Sequence, residues 1–504
     1  MTGSSALEPR DPADVLAELD RLRAADAPTH GGRLLAYVYD PGMAALDEVA
    51  SRAAAAVQSL NGLDPTTFPS VAALERDLVS AARQVLAGGS TDVVGSVTSG
   101  GTESCLLAVK AARDGWRART GSDRRPVLVV GSTAHPAFRK AADYLDLTLR
   151  VLPVDAVSCA VRADDVAAVL ASGTGPDVAL IVVSAPSYPH GVLDPVEQVA
   201  ALCSASGVAC HVDACIGGWV LPWWPVPAGD GEVAAPRWDL TVPGVSSLSV
   251  DLHKYGYAPK GASLLLHADR DGHRRQYFAT TRWPGYSVVN PTALGSRSVM
   301  PLAAAWAVMR TLGDDGFREL TARTARAATA LRAWVDGGEG LRVVGESTGP
   351  LLAVATDAGV PAGRRVDPHR WADAARALGW VLQPQPGLAQ DDGTALPATT
   401  HLTVTPVTEA ALPELLPALT AAADTVRGTP AAAADPGLLA LAGSVDAAAL
   451  DSDAAAGLLV AAGLDPAGGL PAETAPLLAL LEQLPAPLAE RLLVEFLARF
   501  TEPG

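Results

Sequence analysis

Lysine is scarce in this chain of 504 residues. It has four, Lys110, Lys140, Lys254 and Lys260, against thirty-four arginines. A guanidinium stays protonated and forms no imine, whereas a lysine amine titrates readily once buried and can then act as a nucleophile. Lys254 and Lys260 stand close together in Ser246–Gly261, SSLSVDLHKYGYAPKG, where an apolar strand pattern runs into a turn bearing glycine and proline. A Schiff-base lysine is expected there. Cysteine is also sparse: five residues, an odd number, with no CxxC pair. This argues against a disulfide framework and agrees with a cytoplasmic setting. The run Cys210-His211-Val212-Asp213-Ala214-Cys215 invites a metal reading. Along a strand, however, residues 211, 213 and 215 face one side and 210 the other, so the four close no single shell. These cysteines read as small buried hydrophobes, and no metal is expected. No run of about eighteen uncharged apolar residues exists, so no transmembrane helix is expected. The first residues lack the basic and apolar regions of a secretory leader. With a net charge of −17 and no basic patch, nucleic acid is not an expected partner.

What is present is a globular composition, 49% hydrophobic and 18% charged, on a chain long enough for two or more domains. Residues 1–75 read as an N-terminal arm. It has helical patterns at Asp14–Arg23 and Ala44–Leu60, and a loop between them carries Tyr37 and Tyr39. Residues 76–310 read as a large domain. Its strand candidates are Val93–Val97, Val127–Val130, Thr148–Leu152, Val178–Val183, Val208–Val212, Ser246–Val250 and Ser263–His267. Helical patterns at Glu103–Arg117, Pro136–Tyr144, Ala163–Ala171 and Asp194–Ser206 separate the first five. This alternation predicts an α/β fold with a mostly parallel seven-stranded sheet covered on both faces, and ligands at the carboxyl ends of its strands. Residues 311–430 read as a small C-terminal α/β domain. Two helical patterns, Leu302–Leu312 and Phe317–Val335, lead into it. Residues 431–504 are rich in Ala, Leu and Pro and carry ten acidic residues against two arginines. They read as an acidic helical extension, solvated and without a catalytic part, in which Leu477–Phe500 is amphipathic.

The strand ends hold the chemistry. Thr98-Ser-Gly-Gly-Thr102-Glu103 opens a helix after the first strand, a place where backbone N–H groups and the helix dipole receive an anion. A plain N-cap with a capping glutamate is compatible with the same residues. His135 follows the second strand, and Asp213 closes the fifth, where a buried carboxylate needs a cationic partner. Lys254 follows a further strand. An anion cradle, a stacking ring, a buried carboxylate and an imine-capable lysine, in this order, fit pyridoxal 5'-phosphate: phosphate, ring face, ring nitrogen and aldehyde.

The segments VTSGGTESCLLAVKAARD (97–114), SAPSYPHGVLDPV (184–196), HVDACIGGWVLP (211–222), SLSVDLHKYGYAPKG (247–261) and NPTALGSRS (290–298) resemble the sphingosine-phosphate lyase branch of the fold-type-I, group II pyridoxal-phosphate decarboxylase superfamily. The resemblance implies Lys254 as the imine lysine, Asp213 as the partner of the ring nitrogen and His135 as the stacking histidine. It implies Gly101, Thr102 and His253 as phosphate ligands. In a homodimer, Gly295 and Ser296 would reach the phosphate from the neighbouring subunit. Lys260 and Tyr39 match positions tied to substrate or proton handling, with Tyr39 also supplied by the partner chain. The family carries Asn-Pro-Leu-His-Pro where this chain has Asn61-Gly62-Leu63-Asp64-Pro65, and the regions Trp283–Tyr286 and Ser298–Met300 are also altered. The cofactor half of the site is intact, while the substrate half is remodelled. A carboxylate at Asp64 is expected to repel a substrate phosphate, which weighs against sphingosine phosphate. The expected activity is a carbon–carbon lyase that breaks a bond at Cα of a small amine substrate by retro-aldol cleavage. An amino-acid decarboxylase is the alternative, and a non-catalytic protein that keeps the cofactor fold is the third reading.

Overall fold

The computed structural model describes residues 9–225, 236–464 and 471–503. Helix α1 (Pro12–Arg23) starts on Asp11, whose carboxylate accepts from Ala13 N at 2.8 Å, and it buries none of its residues. Helices α2 (Ala44–Ala56) and α3 (Pro69–Leu86) behave differently. They bury Leu46, Ala50, Val71, Leu78, Ala82 and Leu86 in the core of the large domain. The boundary expected at residue 75 therefore falls inside α3, and the free arm is confined to the residues before α2. Even there Leu35 is drawn into the small-domain core, since its N–H donates to Val381 O and its carbonyl accepts from Thr403 N.

The large domain is a seven-stranded sheet. Its strands are β1 (Val94–Thr98), β2 (Val127–Gly131), β3 (Thr148–Leu152), β4 (Val178–Ser184), β5 (Ala209–Asp213), β6 (Ser247–Asp251) and β7 (Ser263–His267). Each lies within one residue of the range expected from sequence. The spatial order is β1-β7-β6-β5-β4-β2-β3, and β7 alone runs antiparallel to its neighbours. Helices α4 (Gly101–Thr120), α5 (Ala137–Tyr144), α6 (Ala163–Ala171) and α7 (Val196–Ser206) make the crossovers. Strands β2, β4, β6 and β7 are buried at every residue, as strands covered on both faces must be. Several polar residues of this interior pair across strands. His211 on β5 meets Ser247 Oγ at 2.8 Å and Ser249 Oγ at 3.2 Å on β6, through the register that sets 211 against 247 and 213 against 249.

Helix α8 (Arg270–Gln276) and a hairpin of β8 (Phe278–Thr280) and β9 (Val288–Asn290) follow, then the long helix α9 (Met300–Asp336). The two helical patterns read from sequence are this one element, bent at Gly313, where φ is 55°. The expected boundary at 310 lies beside that bend. The small domain has β10 (Leu341–Val343), β11 (Leu351–Thr356), α10 (Pro368–Ala377), β12 (Gln383–Gln385), the short pair β13 (Leu388–Ala389) and β14 (Ala395–Leu396), β15 (Thr399–Thr403) and α11 (Pro406–Val426). Its sheet order is β10-β11-β15-β12, antiparallel throughout. The extension forms α12 (Pro436–Gly443), α13 (Ser452–Ala461), α14 (Ala475–Gln483) and α15 (Ala486–Thr501). The amphipathic run Leu477–Phe500 is thus two helices, broken at Pro485. The extension is also not merely solvated. Asp373 on α10 accepts from Thr474 N and Thr474 Oγ1, both at 2.8 Å, and from Ala475 N at 2.9 Å, which seats the start of α14 on the small domain. Among the described residues no helix is long and apolar enough to cross a membrane.

Candidate active site

The carboxyl ends of β1, β2, β4, β5 and β6 meet around a cavity of about 370 Å³. Its walls include Gly100–Thr102, His135, Tyr188, Asp213, His253 and Lys254. Because β7 returns antiparallel, the β6–β7 connection turns at this same edge of the sheet and carries Lys254 and Lys260 with it.

Lys254 Nζ lies 3.0 Å from Asp251 Oδ2 at the end of β6. Burial is the largest single influence and opposes the charge on this amine, but Asp251 together with Tyr39, Cys215 and Asp213 raises the pKa well above the usual lysine value. Burial would likewise raise the Asp251 carboxyl, yet Lys254 and then His253 pull it well below the ordinary range. Asp251 is 2% exposed, and its Oδ1 has no hydrogen-bond partner. The sequence reading gives Asp251 no role. The argument that singles out Asp213, a carboxylate ending a buried strand, applies to it equally.

Asp213 accepts at Oδ1 from Cys215 N at 3.1 Å and from Ser249 Oγ at 3.4 Å. No hydrogen bond from the described residues reaches its Oδ2. His135 is half-buried. Burial lowers its pKa, with Asp213 acting in the opposite sense. Its Nδ1 accepts from Ala137 N at 3.2 Å, which fixes the ring at the start of α5.

Helix α4 begins at Gly101, and its first intrahelical bond runs from Ser104 N to Gly100 O. The N–H groups before Ser104 therefore have no helical acceptor and face the cavity mouth. A Cβ on Gly101 would stand 2.8 and 2.9 Å from the Asp251 oxygens and 2.9 Å from Cys215 Sγ, so only glycine lets the backbone come this close. Glu103 accepts from Ser99 N at 2.6 Å and Ser99 Oγ at 2.8 Å, and its other oxygen accepts from Ala293 N at 2.7 Å. It is the expected capping glutamate, and it also ties the loop to the segment that carries Gly295 and Ser296. Those two residues stand outside the cavity of their own chain, with Ser296 exposed and accepting from Asn61 Nδ2 at 3.1 Å.

Lys260 Nζ donates to His253 O at 3.1 Å and lies 4.7 Å above the Tyr39 ring. The residue is exposed, yet partial burial of its amine and then the charge of Lys254 lower its pKa to about 8. Tyr39 packs edge-on against Tyr255 of its own chain, with ring centroids 5.1 Å apart. The loop 33–39 is pinned beside the small-domain sheet through Leu35 N to Val381 O and Val381 N to Arg33 O. The other two lysines are structural. Lys110 binds Asp114, Arg275 O and Tyr277 O, joining α4 to the end of α8, and Lys140 lies over the Tyr144 ring.

Asp64 is elsewhere. It lines a larger cavity, about 1040 Å³, between α3 and the segment 286–297. That cavity lacks an amine and holds none of the strand-end residues, so size does not mark the reactive centre. The Asp64 carboxylate is engaged by its own turn. It accepts from Thr66 N, Thr66 Oγ1, Thr67 N and Thr67 Oγ1, which lower its pKa strongly. Asp64 therefore stands outside the cavity that Lys254 enters in the same chain.

A family model described as "Pyridoxal-dependent decarboxylase conserved domain" matches residues 43–354, more than half of the chain. The chain belongs to the pyridoxal-dependent decarboxylase family. A second model, "Pyridoxal-dependent enzyme, C-terminal putative HTH domain", matches residues 436–499 of the extension. Among curated relatives, the sphingosine-1-phosphate lyase of Oryza sativa subsp. japonica is 33% identical over 424 residues, 82% of this chain and 73% of that protein. That of Dictyostelium discoideum is 38% identical over 297 residues, 59% of this chain and 54% of the relative's length. Among solved structures, the sphingosine-1-phosphate lyase of Burkholderia pseudomallei matches with a TM-score of 0.74 at 30% identity, covering 84% of this chain and 93% of that one. A glutamate decarboxylase of Lactobacillus brevis shares the fold, with a TM-score of 0.72 at 18% identity, over 85% of this chain and 96% of that one.

Pyridoxal 5'-phosphate is the cofactor of this family, and the residues present fit it. The close approach at Gly101, the free N–H groups of α4, the open Oδ2 of Asp213 and the Lys254 amine all border the one cavity.

Proposed function

We propose that this chain is a pyridoxal-phosphate-dependent carbon–carbon lyase that cleaves a bond at Cα of a small amine by retro-aldol chemistry. The observation that carries the reading is the convergence of Lys254, Asp213 and His135 on one cavity at the N-terminus of α4. The cofactor, when bound, supplies an electron-withdrawing ring that accepts the electrons of a bond broken at Cα. Lys254 offers the amine that holds the cofactor. Asp213 Oδ2 would hold a proton on the ring nitrogen, and His135 would pack against the ring and keep water from it. Gly101, Thr102 and His253 hold the phosphate, with the dipole of α4 behind them. Lys260 and Tyr39 move the proton that cleavage demands: an amine with a pKa of about 8 is near the optimum for transfer close to neutral pH.

The substrate is a 3-hydroxy amine of the sphingosine-phosphate type or a remodelled variant of it. Among the described residues lining the cavity none is arginine, so an amino-acid carboxylate finds no bidentate anchor there. A homodimer with shared sites is part of the same proposal. Phe278, Trp283, Tyr286, Val289 and Leu294 leave large apolar side chains exposed around the segment of Gly295 and Ser296, a surface that a second copy would cover. Five free cysteines suit a reducing, cytoplasmic setting.

The test is spectral and chemical. Protein loaded with pyridoxal phosphate is expected to show the visible band of a lysine-linked cofactor, and Lys254→Ala abolishes it. A panel of hydroxy amines and amino acids is then scored for aldehyde and carbon dioxide. Aldehyde from a hydroxy amine supports the lyase, carbon dioxide alone overturns it in favour of a decarboxylase, and a missing visible band overturns both.

A further inference from the structure

The strand-alternation argument sets Cys210 apart from His211, Asp213 and Cys215, and in the structure His211, Asp213 and Cys215 all meet Ser249 Oγ. The fold also brings a third group that no local pattern predicts. Cys105, at the start of the second turn of α4, sits against the end of β5. One sulfur of Cys105, one carboxylate oxygen of Asp213 and the sulfur of Cys215 all lie within 4.8 Å of one another. Cys105 is 1% exposed, Asp213 8% and Cys215 7%, yet all three line the cavity that Lys254 enters. Cys215 is already tied to the other groups: its N–H donates to Asp213 Oδ1 at 3.1 Å and its thiol to Ser249 Oγ at 3.4 Å.

We propose that Cys105, Asp213 and Cys215 form a binding site for a thiophilic divalent ion, Zn²⁺ or Cd²⁺, and that this ion and the cofactor exclude each other. Two sulfurs and one carboxylate oxygen are a donor set for a soft or borderline ion and a poor one for Mg²⁺ or Ca²⁺. A tetrahedral ion with bonds of about 2.3 Å to sulfur and about 2.0–2.2 Å to oxygen spaces its ligands roughly 3.5–4 Å apart, so a small contraction closes the shell. The cavity leaves the fourth position to water. Binding releases the two thiol protons, one from each cysteine, and leaves two thiolates and one carboxylate around a 2+ ion. The exclusion rests on the reading of Asp213 as the partner of the ring nitrogen. An Asp213 held by a metal has no free oxygen for that nitrogen, so the ion acts as a competitive inhibitor of cofactor loading.

Cys203 and Cys210 make a second close thiol pair, which supplies the control. Full-length protein freed of cofactor is titrated with Cd²⁺ and followed by the ultraviolet thiolate-to-cadmium charge-transfer band. One ion per chain is expected. Cys105→Ser and, separately, Cys215→Ser weaken binding by about tenfold or more, while Cys203→Ser leaves the band unchanged. Prior loading with pyridoxal phosphate suppresses the band, and Cd²⁺ slows loading in proportion to its occupancy. No band in the wild type, or a band indifferent to both Cys105 and Cys215, overturns the site. A band that persists at full cofactor occupancy overturns the exclusion. If the protein takes up no cofactor, the functional reading fails on its own, and the Cd²⁺ titration still decides the site.

Discussion

Asp251 and Lys254 form a pair in which each partner's charge depends on the other. Asp251 is 2% exposed and its Oδ1 is unpartnered, so the 3.0 Å contact with Lys254 is its main compensation. Asp251→Asn removes the nearest counter-charge from a buried amine and leaves Asp213 as the remaining carboxylate whose charge reaches it, so the Lys254 pKa is expected to fall. A loss of about 3 kcal/mol is expected in urea unfolding, at the low end for a broken buried pair because the amine can shed its proton. Lys260 behaves oppositely. Its folded pKa is about 8, against about 10.4 in an unfolded chain. Between these values the unfolded state binds more protons, so this residue's contribution to stability rises with pH there and is unfavourable below about 8. Lys260→Met is therefore expected to be more stable than the parent at pH 7, with the difference shrinking as pH approaches 10. Urea midpoints measured across that range check it. At this scale the sequence was legible wherever a residue's chemistry is rare. Lys254 stood out because lysine is scarce, and Asp213 because it closes a buried strand. Asp251 and Cys105 were not legible. Their roles arise from Gly101 bringing the start of α4 against β5 and β6, a contact between segments more than a hundred residues apart.

Helix α4 is the element that organises the pocket, and Glu103 holds its first turn in place. One carboxylate oxygen fastens Ser99 and the other fastens Ala293 N, so the anion cradle and the segment bearing Gly295 and Ser296 move as one. Glu103→Ala is expected to cost about 1 kcal/mol, since the donors it releases belong to the exposed residues Ser99 and Ala293, which water can serve, and to weaken pyridoxal phosphate binding. A thermal melt and a cofactor titration followed by absorbance measure the two effects. A variant that melts earlier but binds cofactor unchanged would mean that Glu103 supports the fold without shaping the cradle. The strands and crossover helices were legible because apolar runs punctuated by Gly and Pro leave few alternatives. Helix α9 was legible only as two halves. Its interruption at Gly313 combines φ 55° with ψ −174°, a conformation open essentially to glycine; the helix packs into the large-domain core through residues 302–320 and into the small-domain core through residues 327–335.

Across the whole molecule the buried histidines set the acid limit. His190, His211, His267, His273 and His401 are each at most 6% exposed, and burial pushes each pKa down to about 4. Unfolded histidine titrates near 6.5, so between about 6.5 and 4 the unfolded chain binds more protons, and stability falls as pH falls, by up to about 1.4 kcal/mol per pH unit for each group. Unfolding midpoints are expected to drop steeply through that window, and a double variant His190→Asn, His401→Asn to have a shallower slope. The extension poses the remaining question at this scale. Its family description carries the letters HTH, yet a helix that reads DNA needs cations for the phosphates. Here ten acidic residues face two arginines. Arg491 is bound to Glu495, and Arg499 to Glu495 and Asp453. The domain is held to the rest of the protein through Asp373, which accepts three hydrogen bonds from Thr474 and Ala475. Composition revealed that a separate segment begins after residue 430, but not this attachment, because Asp373 and Thr474 are distant in sequence and neither is unusual where it stands. Asp373→Ala removes an outside cap from α14 and is expected to loosen the extension by about 1–2 kcal/mol. Faster proteolysis and amide exchange confined to residues after 430, with the cofactor band unchanged, is the expected result. Loss of the cofactor band in this variant would instead couple the extension to the active site.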